Sequence, residues 1–338
     1  MRIAFLVLIS CAGAFGWGGR AHGIVNRVAI QTLPGDGPAF LLAHEDLIAQ
    51  LASMPDTWRA FDEPFLKIDE DPNHGWFREQ FAFMKQVPRS RYEFAIALHD
   101  EYLRIRKKDS ARARLMNVRW AGTLPYAAVE GFERVKSAMR LYRMMKVAGT
   151  DTKTIELQLA YEVGWLGHYA GDGAMPLHAT IHNEGWKGPN PNGYTTDPRI
   201  HGRLDSAYPD LLELSATDIR PLVAKPQILE DAFDAILAHC DRATGVVEQV
   251  YRLEKAGAFG KGTDEARKLI SDQVASGAAL LRDLVHTAWI DSGKEIEASR
   301  ANPAAPRKPG RMYNGYPESL DNPQYNPATG SAPAPKPR

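Results

Sequence analysis

Helical periodicity limits what this chain can fold into more than any other feature. Apolar residues recur three and four positions apart over 21–33, 39–51, 92–106, 126–147, 152–170, 228–253 and 264–296, the spacing that gives a helix one apolar face. No stretch alternates apolar and polar residues as a half-buried strand would. Proline and glycine punctuate between the runs, as in Leu33-Pro34-Gly35-Asp36-Gly37-Pro38, where helices end. The expectation is an all-α protein, a single mostly helical domain over 17–298. Its 338 residues are ample for a large hydrophobic interior.

The two ends read differently. Met1-Arg2 precedes an apolar run from Ile3 to Ile9 and the small residues of Cys11-Ala12-Gly13-Ala14-Phe15-Gly16, the order of a secretory signal peptide. Cleavage after Gly16 would make Trp17 the first residue of a secreted or periplasmic chain. A rival reading takes Leu8-Ile9-Ser10-Cys11 as a lipid-attachment box, and cleavage before Cys11 would leave six residues ahead of Trp17. Either way no pair of cysteines is available within the domain, where Cys240 stands alone, so packing and metals must stabilise it. No later run reaches the ~20 apolar residues of a membrane span. Nine prolines in the last 38 residues predict an extended or disordered tail over 299–338.

Charge narrows the function. The 41 basic and 41 acidic residues balance, so no global positive field draws the chain to duplex nucleic acid. That balance leaves room for an enzyme that attracts phosphate through bound cations. The sequence has no Gly-x-Ser-x-Gly elbow and no phosphate-cradling Gly-Lys-Ser/Thr loop. Asp69-x-Asp71-x-Asn73 starts like a calcium loop, but His74 and Gln80 stand where such a loop needs Gly and Glu.

Nine residues carry the chemistry: Trp17, His22, Asp56, His74, His168, Asp172, His178, His201 and Asp205. Imidazoles and carboxylates together are the ligand set of zinc. Two pairs, His168/Asp172 and His201/Asp205, are four residues apart, which puts both side chains on one helix face. Met175-Pro176-Leu177-His178 follows the first pair. A free amino group at Trp17, with a pKa near 8, could bind metal once deprotonated.

The motifs Trp17-Gly-Gly-Arg-Ala-His22, Pro55-Asp56-Thr57-Trp58-Arg59, Asn73-His74, Gly167-His168-Tyr169-Ala170-Gly171-Asp172-Gly173-Ala174-Met175-Pro176-Leu177-His178 and His201-Gly-Arg-Leu-Asp205 carry a family likeness. They resemble the zinc-ligand motifs of the trinuclear-zinc single-strand nucleases and the bacterial zinc-dependent phospholipases C. The resemblance covers roughly residues 17–295. It implies the all-α fold of that superfamily and three zinc ions. One would be held by Asp56, His74, His168 and Asp172, and a second by His178, His201 and Asp205. The third would take the Trp17 amino nitrogen and carbonyl oxygen, His22 and Asp172. The resemblance also implies a hydroxide that attacks phosphorus in line, with Asp56 and Asp172 as the catalytic carboxylates.

Substrate choice rests on fewer signals. In the nucleases an aromatic residue directly after the third-motif His stacks on a base; here Gly75 follows His74, with Trp76, Phe77 and Glu79 next. Trp76, Phe77, Trp186 and Tyr194 are the candidate substrate contacts, and the loop 187–198 the candidate substrate-facing surface. Arg203, before the last carboxylate, has a phospholipase flavour, whereas the short step from Trp17 to His22 is nuclease-like. Three functions compete: a nuclease on single-stranded DNA or RNA yielding 5′-phosphorylated products, a phospholipase C, and a non-catalytic zinc-binding periplasmic protein. The first is the expectation. His44, His99, His239 and His286 read as ordinary structural histidines, and His182 as a possible neighbour of the ligands.

Overall fold

The computed structural model describes residues 18–301; the expected signal segment 1–16, Trp17 and the expected tail 299–338 lie outside the described residues, except that 299–301 continue the last helix and are not extended. Eight of the helices among the described residues frame the interior: α1 (Gly19–Gln31), α2 (Glu45–Gln50), α3 (Arg91–Ile105), α4 (Leu124–Val147), α5 (Lys153–Ala174), α6 (Ala232–Thr244), α7 (Val247–Lys255) and α8 (Asp264–Ala301). The all-α expectation holds, because the described residues contain no strand beyond an isolated bridge between Trp76 and Gly122.

Local chemistry sets the helix limits. Ser90 caps α3 by accepting from the Glu93 amide, and Asp231 caps α6 through the Asp234 amide, each satisfying a donor the helix cannot. Two of the periodic stretches are broken. The run 39–51 begins as a 3₁₀ turn, Ala39–His44, before α2. The run 228–253 starts only at Ala232 and divides at Gly245, where α6 ends. The residues around its start lie on α8 without helix, with the Gln227 amide donating to Asp283 and the Leu229 amide to Thr287. Apolar spacing cannot register such side-chain anchors.

Two hydrophobic cores share α1 and α8. Ala29 and Ile30 of α1 join α4, α5 and the later half of α8 in the first. Ala21, Ile24, Val25 and Val28 join α7, the 200–219 segment and the earlier half of α8 in the second. The segment 169–177 crosses between them, with Tyr169 and Ala170 in the first core and Met175 and Leu177 in the second. Close approach of α1 to α5 is fixed by small residues. A Cβ on Gly167 would fall 1.8 Å from Asn26 Oδ1, while Asn26 itself donates to the Ile48 and Gly164 carbonyls. That approach brings the His22 and His168 rings into a stack at 4.2 Å.

Candidate metal centre

The candidate ligands arrive on separate elements. His22 stands in the first turn of α1, and Asp56 in a short helix, Met54–Thr57, entered through Pro55. His74 ends a 3₁₀ turn, Asp71–His74, and His168 and Asp172 share the last turns of α5. Met175 is extended and stops α5, so the 3₁₀ turn Pro176–His178 swings His178 back toward Asp172. His201 and Asp205 lie on an α-turn, Ile200–Gly202, that continues into a π-turn, Arg203–Ala207.

These eight side chains converge. Asp172 is fully buried and divides its two oxygens: Oδ1 lies 3.4 Å from His22 Nε2, and Oδ2 lies 3.0 Å from His74 Nδ1 and 3.2 Å from His168 Nε2. His178 Nδ1 is 3.4 Å from the same Oδ2. Asp56 Oδ1 stands 3.7 Å from His74 Nδ1 and 4.0 Å from His168 Nε2. A second focus joins His178 Nε2 to His201 Nε2 at 3.1 Å, with Asp205 oxygens 3.9 Å from each. An ion about 2.0–2.2 Å from tetrahedral N and O donors holds them about 3.3–3.5 Å apart. Three groups could hold metal ions: His22/Asp56/His168, His74/His168/Asp172 and His178/His201/Asp205, each with donors within 4.8 Å of one another. His22 therefore sits within reach of Asp56 and His168 as well as Asp172.

The far side of each ring decides which nitrogen faces inward. His168 Nδ1–H donates to the Ala52 carbonyl at 2.8 Å, leaving Nε2 for the cluster. His201 Nδ1–H donates to the Asn183 carbonyl at 3.2 Å, again leaving Nε2. His74 is the reverse case: Nε2–H donates to Glu70 at 3.1 Å and Nδ1 faces Asp172. Metal-binding histidines are commonly oriented in this way.

Electrostatics suits cations. Burial, reinforced by His168, pulls His22 down to about 4, and burial beside His178 pulls His201 down to about 3. Both rings are neutral, as ligands must be. Burial also works on His168, but the Asp172 and Asp56 carboxylates outweigh it and raise that ring to about 9. Asp172 keeps its charge despite burial because His178 and His168 hold it well below the ordinary carboxylate range. Asp205 is pushed well above that range by burial and by Asp172 and Asp56. Neither Asp205 oxygen nor either His22 nitrogen takes a hydrogen bond from any described residue. Buried polar groups left in this state are costly unless a cation meets them. The residues fit a metal.

A cleft of about 600 Å³ opens from the cluster, lined by Arg59, His74, Phe77, His178, Arg199, His201 and Arg203 among others. Arg59 Nη1 lies 3.5 Å from Asp56 Oδ1, and its Nε donates to Asp71. Of the four expected substrate aromatics, only Phe77 lines this cleft. Trp76 is a correction: it is 1% exposed and packs on Phe81, Phe94 and Tyr126. Gly75 is extended, and a Cβ there would fall 2.7 Å from the Phe77 ring, so only glycine lets that ring fold back while the indole enters the core. Trp186 and Tyr194 are corrected too. Trp186 stacks on His182 at 4.0 Å and meets Tyr251 of α7 edge-on at 5.1 Å, and Tyr194 donates to Glu248 of α7, so both pin the loop 187–198 to α7. Only the end of that loop, at Pro198 and beyond, reaches the cleft. Glu79 is occupied by Thr180 and the Ile181 amide. His182 accepts from the Lys187 amide and plays no part beside the ligands.

Compared with protein-family models, curated proteins and solved structures, the chain matches none. The site therefore stands on its own geometry.

Two residues escaped the sequence reading. Glu70 is buried against His74, and Tyr169 donates to it at 2.6 Å. The four-residue step from Glu70 to His74 was available as a signal, but the acidic run Asp69-Glu70-Asp71 resembles a solvated surface. The histidines set aside do lie elsewhere: His239 donates to the Ala170 carbonyl, and His286 pairs with Asp36.

Proposed function

We propose that the protein is a zinc-dependent phosphodiesterase, with single-stranded DNA or RNA as its substrate and 5′-phosphorylated products. Three zinc ions would be held by the sets Asp56/His74/His168/Asp172, His178/His201/Asp205 and Trp17/His22/Asp172. The observation that carries this reading is the division of one buried carboxylate, Asp172, between opposed imidazoles at 3.0–3.4 Å. Gly18, the residue after Trp17, donates its amide to the Asp205 carbonyl at 2.8 Å, which supports including that terminus. Imidazole-rich ligation favours zinc.

Bound zinc would supply Lewis acidity, bringing a water's pKa near neutrality and offsetting phosphoryl charge. The protein's own groups do the rest. Asp56, buried beside Arg59, would orient the attacking water and receive its proton. Arg59 would meet the non-bridging oxygens of the phosphodiester, with Arg199 and Arg203 at the rim drawing in the polyanion. Phe77 offers a ring face on which a base can stack, an interaction worth about 1–3 kcal/mol.

A second reading, phospholipase C, is favoured by one observation. Phe61, Phe65, Leu66 and Ile68 are exposed together between Arg59 and Asp71, a patch suited to a lipid surface. The deciding experiment treats metal-loaded protein with single-stranded oligonucleotides and, separately, with phosphatidylcholine vesicles. The nuclease reading expects 5′-phosphate ends, lost on chelation and restored by zinc. Intact oligonucleotides with released diacylglycerol would establish the second reading instead, and bound metal with neither product a non-catalytic role.

A further inference from the structure

We infer that Glu70 is the positioning residue that sets His74 as an Nδ1 ligand, an inference that rests on the metal-centre reading. Glu70 is 5% exposed, and its ion-pair partner is His74. Its Oε1 accepts from His74 Nε2–H at 3.1 Å and from the Tyr169 hydroxyl at 2.6 Å. Tyr169 in turn accepts from Trp165 Nε1–H at 2.8 Å, so the hydroxyl hydrogen is committed to Glu70. The second oxygen, Oε2, accepts from the Asn73 side-chain Nδ2–H at 3.1 Å. Asn73 is itself held through its carbonyl oxygen by Arg91 Nη1 at 2.8 Å and by the Thr123 hydroxyl at 2.9 Å. Every bond around the carboxylate thus points donors at it.

That arrangement leaves His74 one tautomer. With the proton on Nδ1 instead, the ring would turn a lone pair toward the Glu70 oxygens and a hydrogen into the cluster. With the proton on Nε2, the Nδ1 lone pair faces Asp172 Oδ2 and His168 Nε2, each 3.0 Å away. His168 and His201 are oriented by backbone carbonyls, which carry no net charge. His74 alone among these three rings is backed by a carboxylate, and a charged acceptor makes the ring a better electron donor. A carboxylate at this position does for the ligand what a packing residue cannot.

The test uses the full chain, stripped and reloaded with zinc, as wild type, Glu70→Ala and Glu70→Gln. Zinc affinity is read by competition with a chromophoric chelator, and the histidine rings by nitrogen-15 NMR of the loaded protein. Wild type should show His74 carrying its proton on Nε2. Glu70→Ala should weaken the ion held with His74 by about 10–100-fold, while the His178/His201/Asp205 ion keeps its affinity. Glu70→Gln keeps an acceptor, so affinity should stay within several-fold while the Nε2 proton signal moves upfield. Wild-type affinity in Glu70→Ala, or a His74 proton on Nδ1 in wild type, overturns the inference. If Glu70→Ala does not fold, the glutamine variant and the wild-type ring signals decide by the same signs. A wild-type chain that binds no zinc overturns the metal-centre reading and this inference with it, a result distinguishable from loss confined to Glu70.

Discussion

Asp172 gives one carboxylate oxygen to His22 and the other to His74, His168 and His178, so under the proposed assignment a change there would reach more than one ion at once. Asp172→Asn keeps the shape and removes the charge. The variant should lose metal from both groups around Asp172 and keep it on His178, His201 and Asp205, as measured by metal analysis of the purified protein. Hydrolysis should fall by about 10²-fold or more, the effect of losing several kcal/mol of charge stabilisation. Full metal content in Asp172→Asn would contradict the sharing. The convergence of eight candidate ligands, His22 to Asp205, was legible in sequence because order and spacing restrict them, whereas Trp17 lies outside the described residues. Trp76 was misjudged because an aromatic residue near a ligand has the same sequence signature whether it faces solvent or core. The difference lies in the strip at Gly75, whose carbonyl oxygen is approached by a neighbour 47 positions away in the chain.

That neighbour, Gly122, belongs to the scale of elements. It has φ of 83°, and a Cβ there would fall 1.9 Å from the Gly75 carbonyl oxygen. The Leu124 amide donates to the same carbonyl, and the Trp76 amide donates to the His178 carbonyl at 2.8 Å. The turn into α4 therefore locks Gly75 and Trp76, directly after His74, against His178. Gly122→Ala should destabilise the fold by about 1–3 kcal/mol or more, read from urea unfolding, and should weaken metal binding in the molecules that remain folded. A variant as stable as wild type would show that the strip moves freely. The His201/Asp205 pair teaches a related lesson. A four-residue step predicts a shared helix face, yet the pair spans an α-turn and a π-turn. Spacing found the partners but could not foresee the wider turn that sets their donors 3.9 Å apart. The break at Gly245 escaped for a different reason, since both α6 and α7 carry apolar faces to neighbouring parts of the interior.

Across the whole molecule, stability should respond to pH and to metal. Burial pulls His239 down to about 4 from its ordinary 6.5. A folded-state value below the unfolded one means that its contribution is whole above pH 6.5 and is lost as pH falls toward 4. The difference amounts to about 3 kcal/mol. His239→Gln retains a donor for the Ala170 carbonyl but no titration, so its unfolding free energy should decline less between pH 7 and 4.5 than that of wild type. Parallel declines would refute the assignment. Chelation supplies the second test. An ion present at 100 times its Kd stabilises the folded state by about 2.7 kcal/mol, so stripping it should lower Tm by about 4–5 °C in a chain of this size. An unchanged Tm would mean that the clusters hold no ion tightly.

The candidate ligands run from His22 in α1 to Asp205, and α1 is packed against α8, the last helix described. Contacts between such distant parts of a chain form slowly, after the entropy of closing long loops has been met. No fragment ending at α5 contains the second donor set. Metal capture should accordingly be a final event in refolding, its rate matching the slowest structural phase and independent of zinc concentration. The ions would then be a mark of a finished molecule, and a chain arrested midway would leave them in solution.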